Sequence, residues 1–112
     1  SAIAAFLHSF YTGIENIMIV IAKNIDNKIP NGHNWHKELL LEMTMENNKR
    51  KKIMDYKDIE LLVNYLSFRH FFRHSYSFHL DWKHLEKLIL NINEVWEQIN
   101  NKFIFFLSTL EK

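Results

Sequence analysis

The sequence predicts an all-α protein, an antiparallel four-helix bundle that forms a homodimer. Glycine occurs twice and proline once in 112 residues, so few residues interrupt helices. Apolar residues recur at alternating spacings of three and four along most of the chain, which is the period of an amphipathic helix. No segment alternates apolar and polar residues as a half-buried strand does. We therefore expect one helical domain over residues 1–112.

The first two helices follow from an apolar stripe and a cap. The stripe of the first helix is Ile3, Leu7, Phe10, Ile14, Ile17, Ile21 and Ile25. Residues 28–34 contain Pro30 and Gly32 and form a predicted turn. Asn34 is the predicted N-cap of the second helix. In that helix His36 is expected at the surface or as a capping partner, and the expected core residues are Trp35, Leu39, Leu40 and Met43.

A polar loop and the third helix come next. Residues 45–55, MENNKRKKIMD, form the predicted loop, and the basic run KRKK is interpreted as solvated, with guidance of RNA as the alternative. Asp55 and Asp58 are spaced as a capping pair that opens the third helix. The stripe of that helix is Ile59, Leu62 and Leu66, with Leu61, Tyr65, Phe68 and Phe72 alongside.

The fourth helix has a clear start and a wide apolar face. Asp81 is the predicted N-cap, and Leu80 before it is expected to pack against Leu85 as a staple. The stripe is Leu85, Leu88, Ile92, Val95, Ile99, Phe103, Phe106 and Leu110, and it is widened by Trp82, Ile89 and Trp96. Such a face predicts packing against several helices or against a second chain.

Composition excludes several classes of protein. The chain is 47% hydrophobic and 14% aromatic, which argues against disorder, and it lacks the cysteines of disulfide or thiolate metal sites. The net charge of +1 means that nucleic-acid binding requires local basic clusters. No apolar run is expected to reach the ~18 residues that span a bilayer, and the N-terminus lacks the basic start of a signal peptide. We expect a cytoplasmic protein without membrane contact, with residues missing before Ser1.

The end of the third helix departs from ordinary packing. Arg69 and Arg73 continue the inner stripe, where a guanidinium is costly unless an anion or a carboxylate meets it. A single arginine there is more often paired with an acidic residue or extended to solvent. His74 lies five residues after Arg69, about 140° away around an unbroken helix. We therefore expect the helix to end or bend between them, with His74 and Tyr76 on the loop that includes residues 75–77.

Arginine and histidine together suit cleavage of a phosphodiester. A guanidinium binds phosphate through two hydrogen bonds and stabilises the charged transition state. An imidazole exchanges protons near neutral pH. The 2′-hydroxyl of RNA is an internal nucleophile, so the reaction requires no metal. Attack needs a base and departure needs an acid, and a symmetric dimer that brings two copies of His74 together supplies both.

The stretch resembles the R-x4-H-x-Y signature of HepT-like toxins in the HEPN superfamily. Arg69, His74 and Tyr76 occupy its three positions. The surrounding FFRHSY and LDW, and the earlier NGHNWHKELLLEM, also resemble this family. One position departs from the pattern: the residue after the signature arginine is often small and polar, commonly Asn, and here it is His70.

The resemblance implies a function. HEPN proteins of this type are homodimeric, metal-independent ribonucleases, and HepT-like members are toxins of type II/VII-like toxin–antitoxin pairs with tRNA as the target. Arg69 and His74 are then catalytic, while His70 and Arg73 support RNA binding. A minimal nucleotidyltransferase antitoxin silences the nuclease by transferring AMP to Tyr76. No cofactor is expected apart from such covalently attached AMP groups.

Two alternatives stay open at this point. His70 with His74, and His33 with His36, have spacings that can chelate zinc, with His79, Asp81 and His84 as further candidates, but no complete metal motif is present. A non-catalytic HEPN module that binds a nucleotide or a protein is the second alternative, since the wide face of the fourth helix also suits an adaptor.

Overall fold

The computed structural model describes the backbone of residues 2–74 and 82–110 and the side chains of residues 2–68 and 82–110. These residues form five α-helices: α1 (Ala2–Ile21), α2 (Trp35–Glu42), α3 (Tyr56–His74), α4 (Trp82–Leu90) and α5 (Ile92–Thr109). A π-helical turn, Ala22–Asp26, extends α1. Over the described residues the only β-type pairing is an isolated bridge between Asn47 and Arg50. The all-α prediction is confirmed, whereas the four-helix arrangement and the homodimer stay predictions.

Helix α1 packs against α2, α3 and α4 through a face that is rotated from the predicted stripe. Its buried apolar residues are Ala4, Leu7, Tyr11, Ile14, Met18 and Ile21. Tyr11 and Met18 are fully buried, whereas Ile17 is 36% exposed and Phe10 is half-buried. The stripe was misplaced because Tyr11 and Met18 also fit a helical period, and spacing alone does not choose between adjacent faces.

The first helical segment contradicts the expectation that no apolar run is long enough to span a bilayer. Residues Ala2–Asp26 form a helix that is long and apolar enough to cross a bilayer, by length and composition alone. One face of this helix is nevertheless buried within the domain, and it includes the carboxylate of Glu15. Core packing accounts for part of its apolar composition, because Phe6 and Val20 of the same helix are exposed.

The π-helical turn ends at a left-handed residue. Asn27 has φ 56°, a conformation that asparagine tolerates better than most residues. The backbone N–H groups of Asn27 and Lys28 both donate to the carbonyl of Ala22. This tight ending turns the chain towards α2 and leaves Asp26 beside the loop of residues 45–55, with which it forms hydrogen bonds.

The starts of α2 and α3 use different chemistry. Asn34 precedes α2 as predicted, but its side chain makes no capping hydrogen bond. At α3 the predicted pair is confirmed, because the backbone N–H of Asp55 donates to Asp58 Oδ2 at 2.8 Å. Asp58 is 1% exposed, and Gln98 Nε2 donates to its other oxygen at 2.6 Å. The cap therefore also attaches α3 to α5.

The predicted fourth helix is divided at Asn91 into α4 and α5. The division is slight, because Asn91 N–H still donates to the Lys87 carbonyl and the Asn91 carbonyl accepts from Val95 N–H. Leu85, Leu88, Val95, Ile99, Phe103 and Phe106 are buried as predicted, whereas Leu110 is 45% exposed. Cross-contacts run in opposite order along α3 and α4–α5, from Asp55–Lys102 through Asp58–Gln98 to Tyr65–Leu88, so these segments are antiparallel.

Candidate active site

The second half of α3 is anchored on both sides before it reaches the signature. Leu62, Leu66 and Phe68 are buried. Tyr65 lies between α1 and α4: its ring meets that of Phe10 edge-on at 5.2 Å, and its hydroxyl donates to the carbonyl of Leu88 at 2.8 Å. Burial raises the pKa of Tyr65 to about 12, so this phenol is a structural donor at neutral pH.

The predicted catalytic residues lie on the last turns of this anchored helix. The α-helical backbone includes Arg69, His70, Arg73 and ends at His74. The side chains of these four residues lie outside the described part of the chain, as do Tyr76 and the predicted cap of α4. The described part of α4 begins at Trp82, so the cap at residue 81 stays a prediction. The grouping of the signature side chains stays a prediction.

The backbone corrects the expectation that the helix ends between Arg69 and His74. Because α3 includes both residues, their positions are about 140° apart around the axis and about 7.5 Å apart along it. Positions 69 and 73 share one stripe of the helix, and positions 70 and 74 share the next. The end of α3 therefore carries an arginine stripe beside a histidine stripe. The spacing in the sequence did not predict this pair of stripes, because the predicted end of α3 lies before His74.

Cavities lie on both sides of α3, N-terminal to these stripes. A cavity of about 300 Å³ lies between α3 and the α4–α5 segment and is lined in part by Asn64, His84, Lys87 and Glu94. A second, of about 370 Å³, lies between α3 and the start of α2; we call it the α2–α3 cavity, and its lining is His33, Asn34, His36, Lys37, Leu66 and Ser67. Polar and basic groups thus flank the helix that bears the signature.

The α2–α3 cavity contains an interaction that sequence reasoning missed. His36 Nδ1 lies 2.6 Å from Glu15 Oε2, and the glutamate is only 3% exposed. His36 was expected at the surface or as a capping partner; its side chain is 26% exposed, but its pairing with Glu15 was not predicted. Its ring is also close to that of Trp35, with 3.6 Å between centroids. The two partners are 21 residues apart, so no local pattern links them.

The basic run of residues 49–52 contributes to the fold. The guanidinium of Arg50 forms two hydrogen bonds of 2.8 Å with the carboxylate of Asp26. Burial alone raises the pKa of Asp26, but hydrogen bonds from Arg50 and Asn47 outweigh it and lower that pKa below its usual value. Lys51 and Lys52 pair with Glu46 and Asp55. Lys51 and Lys52 are exposed, as expected of a solvated loop, whereas Arg50 is a buried structural residue. Guidance of RNA by this run stays an alternative.

The proposed zinc ligands are only partly placed. Among the residues that the structure describes, no group of three His, Cys, Asp or Glu side chains is arranged to hold a metal ion. His33 and His36 both line the α2–α3 cavity, and there His36 is held by Glu15. The pair at positions 70 and 74 lies outside the described side chains.

The fold and this site define a class of small all-helical domain whose third helix ends in an arginine–histidine segment followed by a tyrosine. A family model described as HepT-like protein matches residues 2–110 of the chain. The chain therefore belongs to the HepT-like family of the HEPN superfamily. No curated protein and no solved structure gives a significant match.

Proposed function

We propose that this chain is a metal-independent endoribonuclease toxin that acts on tRNA in the cytoplasm as a homodimer. The observation that carries the proposal is an intact R-x4-H-x-Y signature at the end of α3 in a chain that matches the HepT-like family over residues 2–110. The imidazole and ammonium groups of the α2–α3 cavity, beside the helix that bears the signature, support a site for a polyanion.

The chemistry assigns one role to each signature residue. Arg69 binds the scissile phosphate and stabilises charge on the pentacoordinate phosphorus. The 2′-oxygen attacks phosphorus while His74 of one protomer takes its proton. The bond from phosphorus to the 5′-oxygen then breaks, and that oxygen receives a proton from His74 of the partner. The products are a 2′,3′-cyclic phosphate and a 5′-hydroxyl.

The register of α3 supports a site shared between protomers. Positions 69 and 74 face about 140° apart on one helix, so an arginine and a histidine from different copies converge more readily than two from one copy. A two-fold axis beside the end of α3 places both signatures in one cleft. His70 and Arg73, in the neighbouring stripes, are the supporting RNA contacts in this proposal.

Assays against total tRNA in EDTA test the proposal. Wild-type protein is expected to cleave tRNA, and His74→Ala is expected to be about 10²- to 10⁴-fold slower because it lacks the acid and base. His84→Ala removes an exposed imidazole from α4 and serves as the matched control. An RNA with a 2′-deoxy sugar at the cleavage position should resist. Equal behaviour of wild type and His74→Ala would instead favour the non-catalytic binding module.

Silencing by AMP transfer to Tyr76 is the regulatory part of the proposal. The partner is a minimal nucleotidyltransferase antitoxin, and a phosphodiester on Tyr76 brings negative charge to the arginine stripe meant for RNA. Mass spectrometry of protein co-expressed with such a transferase should show added AMP on Tyr76 and none in Tyr76→Phe. Tyr56→Phe removes an exposed phenol at the start of α3 and should leave the modification intact. Unmodified wild-type protein in the presence of active transferase would contradict this step.

A further inference from the structure

The α2–α3 cavity has the donors of an anion site. Its polar lining consists of two imidazoles, an ammonium, an amide and a hydroxyl: His33, His36, Lys37, Asn34 and Ser67. All of these groups can donate hydrogen bonds, and no carboxylate is among the described lining residues. Leu66 adds an apolar wall. This combination favours a phosphate over a cation or an apolar ligand.

One imidazole of the cavity, that of His36, is held in place by a buried carboxylate. Glu15 lies within the core at 3% exposure, and its carboxylate accepts from His36 Nδ1 at 2.6 Å. The side chain of His36 is 26% exposed and lines the cavity. A carboxylate that accepts from Nδ1 in this way fixes the orientation of the ring and places its Nε2 edge towards the cavity that His36 lines. Removal of one partner would leave the other without this contact at a largely buried position, so the two residues are expected to act together.

The cavity adjoins the stripe that carries the histidines of the signature helix. Leu66 and Ser67 line it, and positions 70 and 74 of α3 fall between these two residues in angle. Position 70 is about 6 Å further along the axis than Leu66, and position 74 is about 10 Å beyond Ser67. These separations are on the scale of one or two steps along a nucleic-acid backbone.

We propose that the α2–α3 cavity binds a backbone phosphate of the RNA that flanks the scissile linkage. Lys37 and His36 contact this phosphate, and Glu15 is a positioning residue that acts through His36. The inference rests on the proposed ribonuclease function, but it concerns RNA binding and can be tested without cleavage. It extends the site beyond the signature, because none of these three residues belongs to R-x4-H-x-Y.

The test measures tRNA binding as a function of salt in the 112-residue chain carrying His74→Ala to prevent cleavage. Lys37→Met is expected to weaken binding and to lower the slope of log affinity against log salt by about 1, the value for one lost phosphate contact. Lys57→Met removes an exposed ammonium from the first turns of α3 and should leave the slope unchanged. An unchanged slope for Lys37→Met, or equal changes in both variants, would overturn the proposal.

A double-mutant cycle tests the role of Glu15. Glu15→Gln should weaken tRNA binding in the presence of His36 and should have no further effect in His36→Gln protein. A merely structural role would give the same loss in both backgrounds and would contradict the positioning role. Thermal unfolding of each variant verifies that the compared proteins are folded. Failure of the ribonuclease proposal is seen separately, as absence of tRNA cleavage by protein that retains His74.

Discussion

At the scale of single residues, burial gives Arg50 a structural role that its position in a basic run does not indicate. Arg50 stands among three lysines, yet its side chain is 1% exposed, and that of Asp26 is 9% exposed. The same guanidinium also donates to the carbonyls of Met45 and Glu42. It thereby joins the π-helical turn after α1 to the loop before α3. The neighbouring Lys51–Glu46 pair is exposed and screened by solvent.

Replacement of Arg50 is therefore expected to cost far more stability than replacement of Lys51. Arg50→Met leaves the carboxylate of Asp26 largely buried without its partner, which lowers the free energy of unfolding by about 3–5 kcal/mol. Lys51→Met is the matched control and should change it by less than about 0.5 kcal/mol. Denaturant unfolding followed by circular dichroism measures both. Similar small losses in the two variants would show that the Arg50–Asp26 pair does not hold the loop.

At the scale of elements, the start of α3 is tied to α5 by charge. Lys102 Nζ lies 2.7 Å from Asp55 Oδ2, and Lys52 Nζ lies 2.8 Å from the other oxygen. Hydrogen bonds from Lys102 and then from Lys52 lower the pKa of Asp55 to about 2. The folded state thus binds a proton at Asp55 less readily than the unfolded chain does.

This shift predicts acid sensitivity with a defined sign. Because the folded pKa is depressed, the contribution of Asp55 is present above the unfolded value of about 4 and is lost as pH falls towards about 2. Unfolding measured at pH 4 and pH 2 should show a smaller loss of stability in Lys102→Met than in wild type. Lys57→Met, which alters an exposed lysine at the same helix start, is expected to retain the wild-type loss. An identical loss in Lys102→Met would contradict the assignment.

Elements with local signals were predictable, and those made by distant contacts were not. The Asp55–Asp58 cap and the buried stripe from Leu85 to Phe106 follow from spacing within a few turns. The π-helical turn has no sequence pattern of its own, and its ending depends on one left-handed residue, Asn27. In the candidate site, the residue types of the signature could be read from the sequence. The Glu15–His36 pair could not, because packing of α1 on α2 creates it.

At the scale of the whole molecule, the proposed reaction depends on how copies of the chain combine. A single chain carries one His74, whereas attack and departure need a base and an acid. Exposed aromatic side chains remain on α1 and α5, including Phe6, Trp96 and Phe105. Exposed apolar surface of this kind suits the predicted homodimer. In the proposed function the dimer, not the single chain, is therefore the unit of activity.

Mixing of active and inactive protomers tests this central claim most directly. Wild-type and His74→Ala chains are refolded together in equal amounts, and tRNA cleavage in EDTA is compared with that of wild type at the same total concentration. If one cleft uses both copies of His74, only wild-type dimers cleave, and activity falls to about a quarter. Retention of half the activity would mean that each chain acts alone and would contradict the shared site.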